Sequence, residues 1–237
     1  TGTTSGGFVR SSITKQVYSG LDGTGVGIAV LDSGVMRGHK AFENASGVSR
    51  VLRNVTMLNT QLSDWTTGKV AATLAPGSTE LAAYEAAIAN DNVVQHDAWG
   101  HGTHVAAVAA GRSTNYTSAP ENSGIAPNAD IIDVKVLSDY GVGSVSDTLE
   151  GIQWTISNAK KYNIRVINMS LASRARESWQ FDPLCIAVRN AAAVGITVVA
   201  SAGNYGSTFG QEAYGTVMSP GNDPTVITVG SANHKAT

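Results

Sequence analysis

The stretch Val26-Gly27-Ile28-Ala29-Val30-Leu31-Asp32-Ser33-Gly34 is apolar up to Leu31 and then ends in a carboxylate, a hydroxyl and a glycine. A short, continuously apolar run is typical of a strand that is buried on both faces of a sheet. The stretch therefore predicts a buried strand over Val26–Leu31, with Asp32 at its carboxyl end.

Similar apolar runs follow along the chain, and segments with helical signals separate them. Strands are predicted at Ile131–Leu137, Ile164–Met169, Ile196–Ser201 and Val226–Gly230, and helices at Gly102–Gly111, from Ser144 to about Tyr162, and from Pro183 to Gly195. This alternation predicts an α/β fold, a doubly wound and mostly parallel sheet with helices on both faces. Ligands of such sheets bind beyond the carboxyl ends of the strands, where Asp32 is expected to lie.

The composition limits the possible functions. The chain has 237 residues, of which 42% are apolar and 14% are charged, enough for the core of one large domain. Its net charge of −2 and the lack of any Lys/Arg run argue against nucleic acid or an anionic membrane surface as a partner. No apolar stretch approaches the ~20 residues of a membrane span. The one cysteine, Cys185, is interpreted as a small buried side chain.

One segment does not fit the alternation. The 68 residues from 33 to 100 are more than a simple crossover needs. Within them, Arg53–Asp97 contains a predicted helix at Ser78–Ala89 and several turns rich in Asn and Asp. Its apolar residues are too few for a core of its own, namely Leu74, Leu81, Tyr84 and Ile88. Residues 53–97 are therefore predicted to be a surface insertion within a single domain over 1–237.

Three polar residues occupy positions that suit acyl transfer by a serine. Asp32 ends a strand, His101 opens a helix in Gly100-His101-Gly102-Thr103-His104, and Asn204 follows a strand in Ala200-Ser201-Ala202-Gly203-Asn204. Such chemistry needs an acid that orients a base, a base beside the hydroxyl, and donors for the oxyanion. Taken singly, Asp32 also suits a turn, Asn204 a left-handed turn, and His104 a packed histidine.

Two other interpretations of the sequence have less support. Asp32, His101 and His104 could belong to a metal-dependent hydrolase, but no Glu lies between the histidines and no further ligand is evident. Gly23, Gly25 and Gly27 superficially suggest dinucleotide binding. They precede the strand, however, whereas a phosphate-binding loop must follow one.

In this order the three motifs resemble the subtilisin-like serine proteases, over about Gly23 to Gly230. The resemblance implies a secreted serine endopeptidase that acts on peptide or protein substrates. It assigns Asp32 as the orienting acid, His101 as the base and Asn204 as the oxyanion donor. These roles are inherited from the family, in which this chemistry is established.

The resemblance also implies a substrate-binding region. Ser170, Leu171 and Ala172 are similar to the end of the family's strand that pairs with the substrate backbone; Ala172 replaces a usual Gly, so its methyl group is expected to narrow the specificity pocket. The facing wall is assigned to Ala200, Ser201, Ala202 and Gly203, whose small side chains leave room for a large apolar P1 residue. Ser219-Pro220-Gly221 resembles a segment with a cis proline near that pocket.

No cofactor is required for this chemistry, and structural calcium is left open. Family members with a tight calcium site often carry an Asp a few residues beyond His-Pro in the loop after the catalytic Asp. Here the stretch reads His39-Lys40-Ala41-Phe42, so that carboxylate is missing. The loop Ser113–Gly124 could supply backbone and Asn oxygens instead.

The nucleophile is the part that the motifs do not provide. Each Gly-Ser pair lacks the Gly-Thr-Ser turn into an Ala-rich helix, namely Gly77-Ser78, Gly143-Ser144, Gly206-Ser207 and Gly230-Ser231. In the family this segment follows the Ala-Gly-Asn motif and at least one more strand pair. We therefore expect a peptidase domain that lacks its C-terminal part, is inactive alone, and needs a C-terminal fragment carrying the serine. The alternative is a non-catalytic pseudo-protease or the large fragment of a two-chain protease.

Overall fold

The structure is a computed structural model that describes residues 3–4, 7–8, 21–58, 75–113, 123–208 and 211–231. The described residues form ten strands: β1 Thr3–Thr4, β2 Gly7–Phe8, β3 Gly27–Asp32, β4 Val51–Thr56, β5 Asp130–Lys135, β6 Ile164–Met169, β7 Thr197–Ser201, β8 Ser207–Thr208, β9 Gln211–Glu212 and β10 Ile227–Val229. They also form four α-helices: α1 Thr79–Ile88, α2 His101–Ala110, α3 Val145–Asn158 and α4 Pro183–Ala193. A single 3₁₀ turn of the described residues covers Lys40–Phe42.

Six strands form one parallel sheet in the order β10-β7-β6-β3-β5-β4. Every neighbouring pair in it is parallel. The predicted parallel α/β sheet is confirmed, and β3, which ends in Asp32, lies between two other strands of the sheet. The pairs β1–β2 and β8–β9 are short antiparallel hairpins outside it.

Helices cover both faces of the sheet, as predicted. Because side chains alternate along a strand, β3 contributes to two cores. Ile28 and Val30 pack with Ala106 and Ala110 of α2. Ala29 and Leu31 belong to the larger core on the other face, which contains residues of α3 and α4. The sheet is therefore buried on both sides at the strand that carries Asp32.

The helix starts follow from local capping. Ser144 Oγ accepts a hydrogen bond from Asp147 N at the start of α3, and Asp182 accepts from Leu184 N and Cys185 N at the start of α4. Such caps satisfy backbone N–H groups that have no partner inside the helix. The predicted starts are confirmed, while α3 ends at Asn158, earlier than the predicted Tyr162.

The prediction of a surface insertion over 53–97 is wrong at both ends. Residues 53–56 belong to β4, which pairs with β5, and Asn54 and Val55 are fully buried. At the other end His96 and Asp97 are buried as well. Asn54, His96 and Asp97 have buried partners elsewhere in the fold, so their polarity does not mark a surface.

Between those ends, α1 lies where its helix was predicted. Ser78 caps it through Leu81 N, and Ile88 and Tyr84 pack against the larger core. Leu74 lies outside the described residues. That this middle part is an insertion without a core of its own stays a prediction.

Two smaller findings complete the fold. Cys185 is a free, buried thiol in α4, as the sequence predicts, and burial raises its pKa. None of the helices in the described part of the chain combines the length and the apolar character that crossing a membrane would require.

The corrected strand can be tested by truncation of its side chains. Replacing the fully buried Val55 by Ala should lower the free energy of unfolding by about 2 kcal/mol, through lost apolar burial and the cavity left behind. Leu52→Ala, on the same strand but 40% exposed, should cost clearly less. Urea unfolding followed by circular dichroism measures both, and equal small costs would contradict a buried β4.

Candidate active site

Asp32 and His101 form a hydrogen-bonded pair at the carboxyl edge of the sheet. His101 Nδ1 lies 2.7 Å from Asp32 Oδ1, which also accepts from Ser33 N at 2.7 Å. The Asp32 carboxylate is fully buried, while the His101 side chain is 43% exposed. The predicted hydrogen bond is therefore present. Among the described residues Asp32 is the only hydrogen-bond partner of the His101 ring.

A second set of contacts joins the end of β3 to the start of α2. Ser33 Oγ donates to Asp97 Oδ1 at 2.9 Å and accepts from Gly102 N at 3.0 Å. Asp97 also accepts from Gly100 N and Thr103 N, each at 2.8 Å. Gly100 at the cap position has no side chain, so Asp97 accepts from the orphan Thr103 N of α2 in its place, while Ser33 Oγ accepts from Gly102 N.

These contacts lower the pKa of the Asp97 carboxyl. Burial by itself raises the pKa of this carboxyl, but the hydrogen bonds from Thr103, Gly100 and Ser33 together hold the pKa below its ordinary value. The sequence analysis missed Asp97. The available signal was an acidic residue three positions before the glycine that precedes α2.

A buried polar cluster lies beside this edge, on β4 and β5. Asp133 Oδ2 lies 2.5 Å from His96 Nδ1 and accepts from Asn54 Nδ2 at 2.6 Å. Asn54 Nδ2 also donates to Val35 O at 3.0 Å. Burial raises the pKa of the Asp133 carboxyl, against the hydrogen bonds from His96 and Asn54, which lower it. None of these three side chains was predicted to belong to the site.

A cavity of about 360 Å³ adjoins His101 and Asn204. The predicted residues Ser170, Leu171 and Ala172 also line it. Other parts of its lining are apolar: Leu137, Val142, Val145 and Leu184, with the indole of Trp99. The structure thus brings the predicted base, the predicted oxyanion donor and one predicted wall to the same cavity.

Asn204 follows β7 and is exposed. Its side-chain amide has no hydrogen-bond partner within the described part of the chain, as predicted. The left-handed backbone belongs to the preceding Gly203, whose φ is +91°, and not to Asn204. Asn204 is therefore not locked into a local turn, and its amide is free to donate.

The second predicted wall lies beside the first rather than along this cavity. Ser201 Oγ donates to Leu171 O at 3.0 Å, which ties the two segments together. None of Ala200, Ser201, Ala202 and Gly203 lines the cavity that adjoins His101. The Ser219–Pro220 bond is cis, as the resemblance implies. The substrate-binding roles of these residues stay predictions.

A metal site in this region would need ligands that the described residues do not bring together. His104 is exposed and lies one turn beyond His101 on α2. Across the ranges that the structure describes, no group of three or more His, Cys, Asp or Glu side chains is placed to hold a metal ion. The loop Ser113–Gly124, whose oxygens the sequence leaves open as calcium ligands, has residues 114–122 outside the described ranges.

Comparison with known proteins adds independent information. Residues 23–237, which include Asp32, His101 and Asn204, match the Subtilase family. Serine protease AprX of Bacillus subtilis is 37% identical over 157 residues, covering 62% of this chain and 33% of AprX. Subtilisin E of the same organism is 38% identical over 137 residues, covering 58% of this chain and 32% of that protein. The match thus spans about a third of the length of these curated relatives.

Solved structures show the same relationship. Sphericase superposes with a TM-score of 0.59 at 28% identity, covering 87% of this chain and 53% of Sphericase. A cold adapted subtilisin-like serine proteinase gives 0.56 at 27% identity, covering 90% of this chain and 56% of that one.

Because Asp97 acts as a charged cap, we expect its removal to lower the free energy of unfolding by an amount that depends on pH. Asp97→Ala should lower the free energy of unfolding by about 1–2 kcal/mol at neutral pH, because Thr103 N of α2 and Gly100 N before it lose their acceptor. Since the pKa of Asp97 is lowered by folding, this contribution is present above the ordinary Asp pKa of about 4 and is lost as the pH falls through the folded-state pKa.

Urea titrations of the parent and variant proteins from neutral to acid pH measure this cost. Ser144→Ala removes an uncharged cap from α3 and is the control, since its cost should not change with Asp97 protonation. A pH-independent cost of Asp97→Ala would contradict the charged-cap interpretation.

Proposed function

The chain belongs to the subtilase family, and we propose that it supplies the acid, the base and an oxyanion donor of a serine endopeptidase. The single observation that carries the proposal is the 2.7 Å hydrogen bond between buried Asp32 and exposed His101, beside a cavity that Asn204 also lines. An acid that orients a base, next to a free amide donor, is the arrangement that acyl transfer requires.

Each residue has one step in the proposed reaction. A serine hydroxyl attacks the carbonyl carbon of the scissile bond and passes its proton to His101 Nε2. Asp32 keeps the proton on Nδ1 and stabilises the imidazolium that forms, while the Asn204 amide donates to the oxyanion. His101 then gives the proton to the leaving amine, and water releases the acyl group by the same steps.

The serine is proposed to come from polypeptide outside these 237 residues. Within the described part of the chain, no serine hydroxyl is hydrogen-bonded to His101. Ser170 is the predicted wall serine that lines the cavity, and its hydroxyl accepts from Asn168 Nδ2 at 3.0 Å rather than contacting His101. The missing segment can belong to the same gene product or to a second chain.

Apolar residues exposed on one face of the sheet support the proposal that a further segment covers that face. Val30 of β3 points towards α2. Residues that pair across neighbouring strands point to the same face, and Val30 pairs with Asn168, Asn168 with Val199, and Val199 with Ile227. Ile227 of β10 therefore lies on the same face of the sheet as α2. On β10, Ile227 is 56% exposed and Val229 is 52% exposed. Apolar sheet surface is normally covered by another element, since its burial is favourable.

The family also supports a substrate class and a location. Peptide substrates are proposed to lie along Ser170–Ala172, with apolar side chains in the cavity beside Leu171. Secretion is proposed from the similarity to subtilisins. A calcium ion at Ser113–Gly124 would be a structural addition, because no step above involves a metal.

A serine-directed fluorophosphonate tests the proposal. Residues 1–237 alone should not be labelled, whereas the complete protein, or this chain with its C-terminal fragment, should be labelled at one serine. Asp32→Ala and His101→Ala should each abolish that labelling, because the serine then loses its base. Stoichiometric labelling at a serine of residues 1–237 would refute the proposed division. A complete protein that is never labelled would favour the pseudo-protease alternative.

The oxyanion role of Asn204 has its own test. Asn204→Ala in the complete protein should lower kcat by about two to three orders of magnitude with little change in KM, the loss known for this family's oxyanion Asn. Steady-state kinetics on a chromogenic peptide measure it. Asn158→Ala, at the end of α3, is the control and should leave kcat unchanged. A change confined to KM would remove Asn204 from the oxyanion site.

A further inference from the structure

The fold contains a second buried Asp–His pair that the proposed reaction does not use. His96 Nδ1 lies 2.5 Å from Asp133 Oδ2, and the two side chains are 5% and 0% exposed. His96 is too deeply buried to meet a substrate. Asn54, also fully buried, donates to the same carboxylate oxygen at 2.6 Å.

This cluster is costly to bury. In addition to its hydrogen bonds, it contains two buried polar atoms without a partner in the described part of the chain, His96 Nε2 and Asn54 Oδ1. Each buried polar atom without a partner costs free energy. Replacing a buried charged pair by apolar side chains of similar size is often neutral or stabilising, so such a pair is weak evidence for a gain in stability. A gain in stability therefore does not explain the cluster.

The cluster contacts both turns that carry the Asp32–His101 pair, the turn after β3 and the turn before α2. Asn54 Nδ2 donates to Val35 O, three residues after Asp32. His96 is followed directly by Asp97, which accepts from Gly100 N and Thr103 N on either side of His101. The two turns touch one another, because a Cβ at Gly34 would lie 2.1 Å from His96 O. Asp133 is thus linked through one side chain to each turn.

We propose that His96, held by Asp133 and Asn54, is a positioning residue that sets the place of His101 relative to Asp32. The contact between His96 Nδ1 and Asp133 holds the turn that begins α2, and the contact between Asn54 and Val35 O holds the turn that follows β3. The inference rests on the proposed function only for its effect on rate, since the hydrogen bond that it positions exists without a substrate.

Two substitutions of His96 separate its contact with Asp133 from its bulk. His96→Asn keeps an N–H donor near the position of Nδ1, whereas His96→Gln carries its amide one carbon further, near the position of Nε2. Both side chains are polar and fit the space of an imidazole. The Asn variant should keep the turn in place, and the Gln variant should displace it.

The primary measurement is the Nδ1 proton of His101 in the complete protein, observed by NMR with isotope-labelled histidine and assigned by its loss in Asp32→Ala. This proton should persist in His96→Asn and be lost or exchange much faster with solvent in His96→Gln. Thr155→Val, which removes the hydrogen bond of a fully buried hydroxyl in α3, is the control for general destabilisation and should leave the proton unchanged.

Activity gives a second, separate readout. In a complete protein that cleaves peptides, His96→Gln should lower kcat by about tenfold to a hundredfold at unchanged KM, as a small misplacement of a catalytic group does. His96→Asn should restore most of that loss. If the complete protein shows the His101 proton but cleaves nothing, the proposed function fails while the NMR comparison still decides the positioning role. Equal behaviour of the Asn and Gln variants would overturn it.

Discussion

The arrangement of the site depends on the close approach of two backbone turns, one after β3 and one before α2. A Cβ at Gly102 would lie 2.2 Å from Gly34 O, and a Cβ at Gly34 would lie 2.1 Å from His96 O. Gly34 also has a φ of +116°, which side chains rarely adopt. Only glycine at both positions lets α2 begin close enough to the sheet for His101 to reach Asp32. The close approach of the two backbone turns is therefore the first requirement of the site, and the identity of the acidic and basic side chains is the second.

Much of this arrangement could be predicted because its signals are local. A continuous apolar run predicts β3, a serine before a helical pattern predicts the start of α3, and Asp182 with Pro183 predicts the start of α4. The pairing of Asp32 with His101 also follows, since a residue that ends a strand and one that opens a helix meet at the same edge of a parallel sheet.

What could not be predicted has its partners far away in the sequence. Asn54 and Asp133 are 79 residues apart, and His96 and Asp133 are 37 apart. Asn54 and His96 lie in a long segment with turns rich in Asn and Asp, which predicts a surface, so residues 53–56 of β4 are predicted to belong to an insertion; Asp133, in contrast, lies in a predicted strand. Only the pairing of β4 with β5 shows that Asn54 and Asp133 point into the protein. A buried polar cluster has no periodic pattern of its own that would reveal it.

The contacts that position His101 all come from residues that this chain already contains. They belong to the turn after β3, the turn before α2 and the strand β5: Ser33, Asp97 and Asp133 accept or donate the bonds that link them. A serine arriving from another segment would therefore meet an acid and base that are already oriented relative to one another. Preorganisation of this kind costs nothing at the moment of reaction, since the groups need not move to form their hydrogen bond. In the proposed reaction, a segment that supplied the serine would therefore face two requirements, coverage of the exposed apolar residues at β10 and a hydroxyl within reach of His101 Nε2. The two requirements are independent, because the first concerns how a helix or strand packs on the sheet and the second concerns the position of a single side chain.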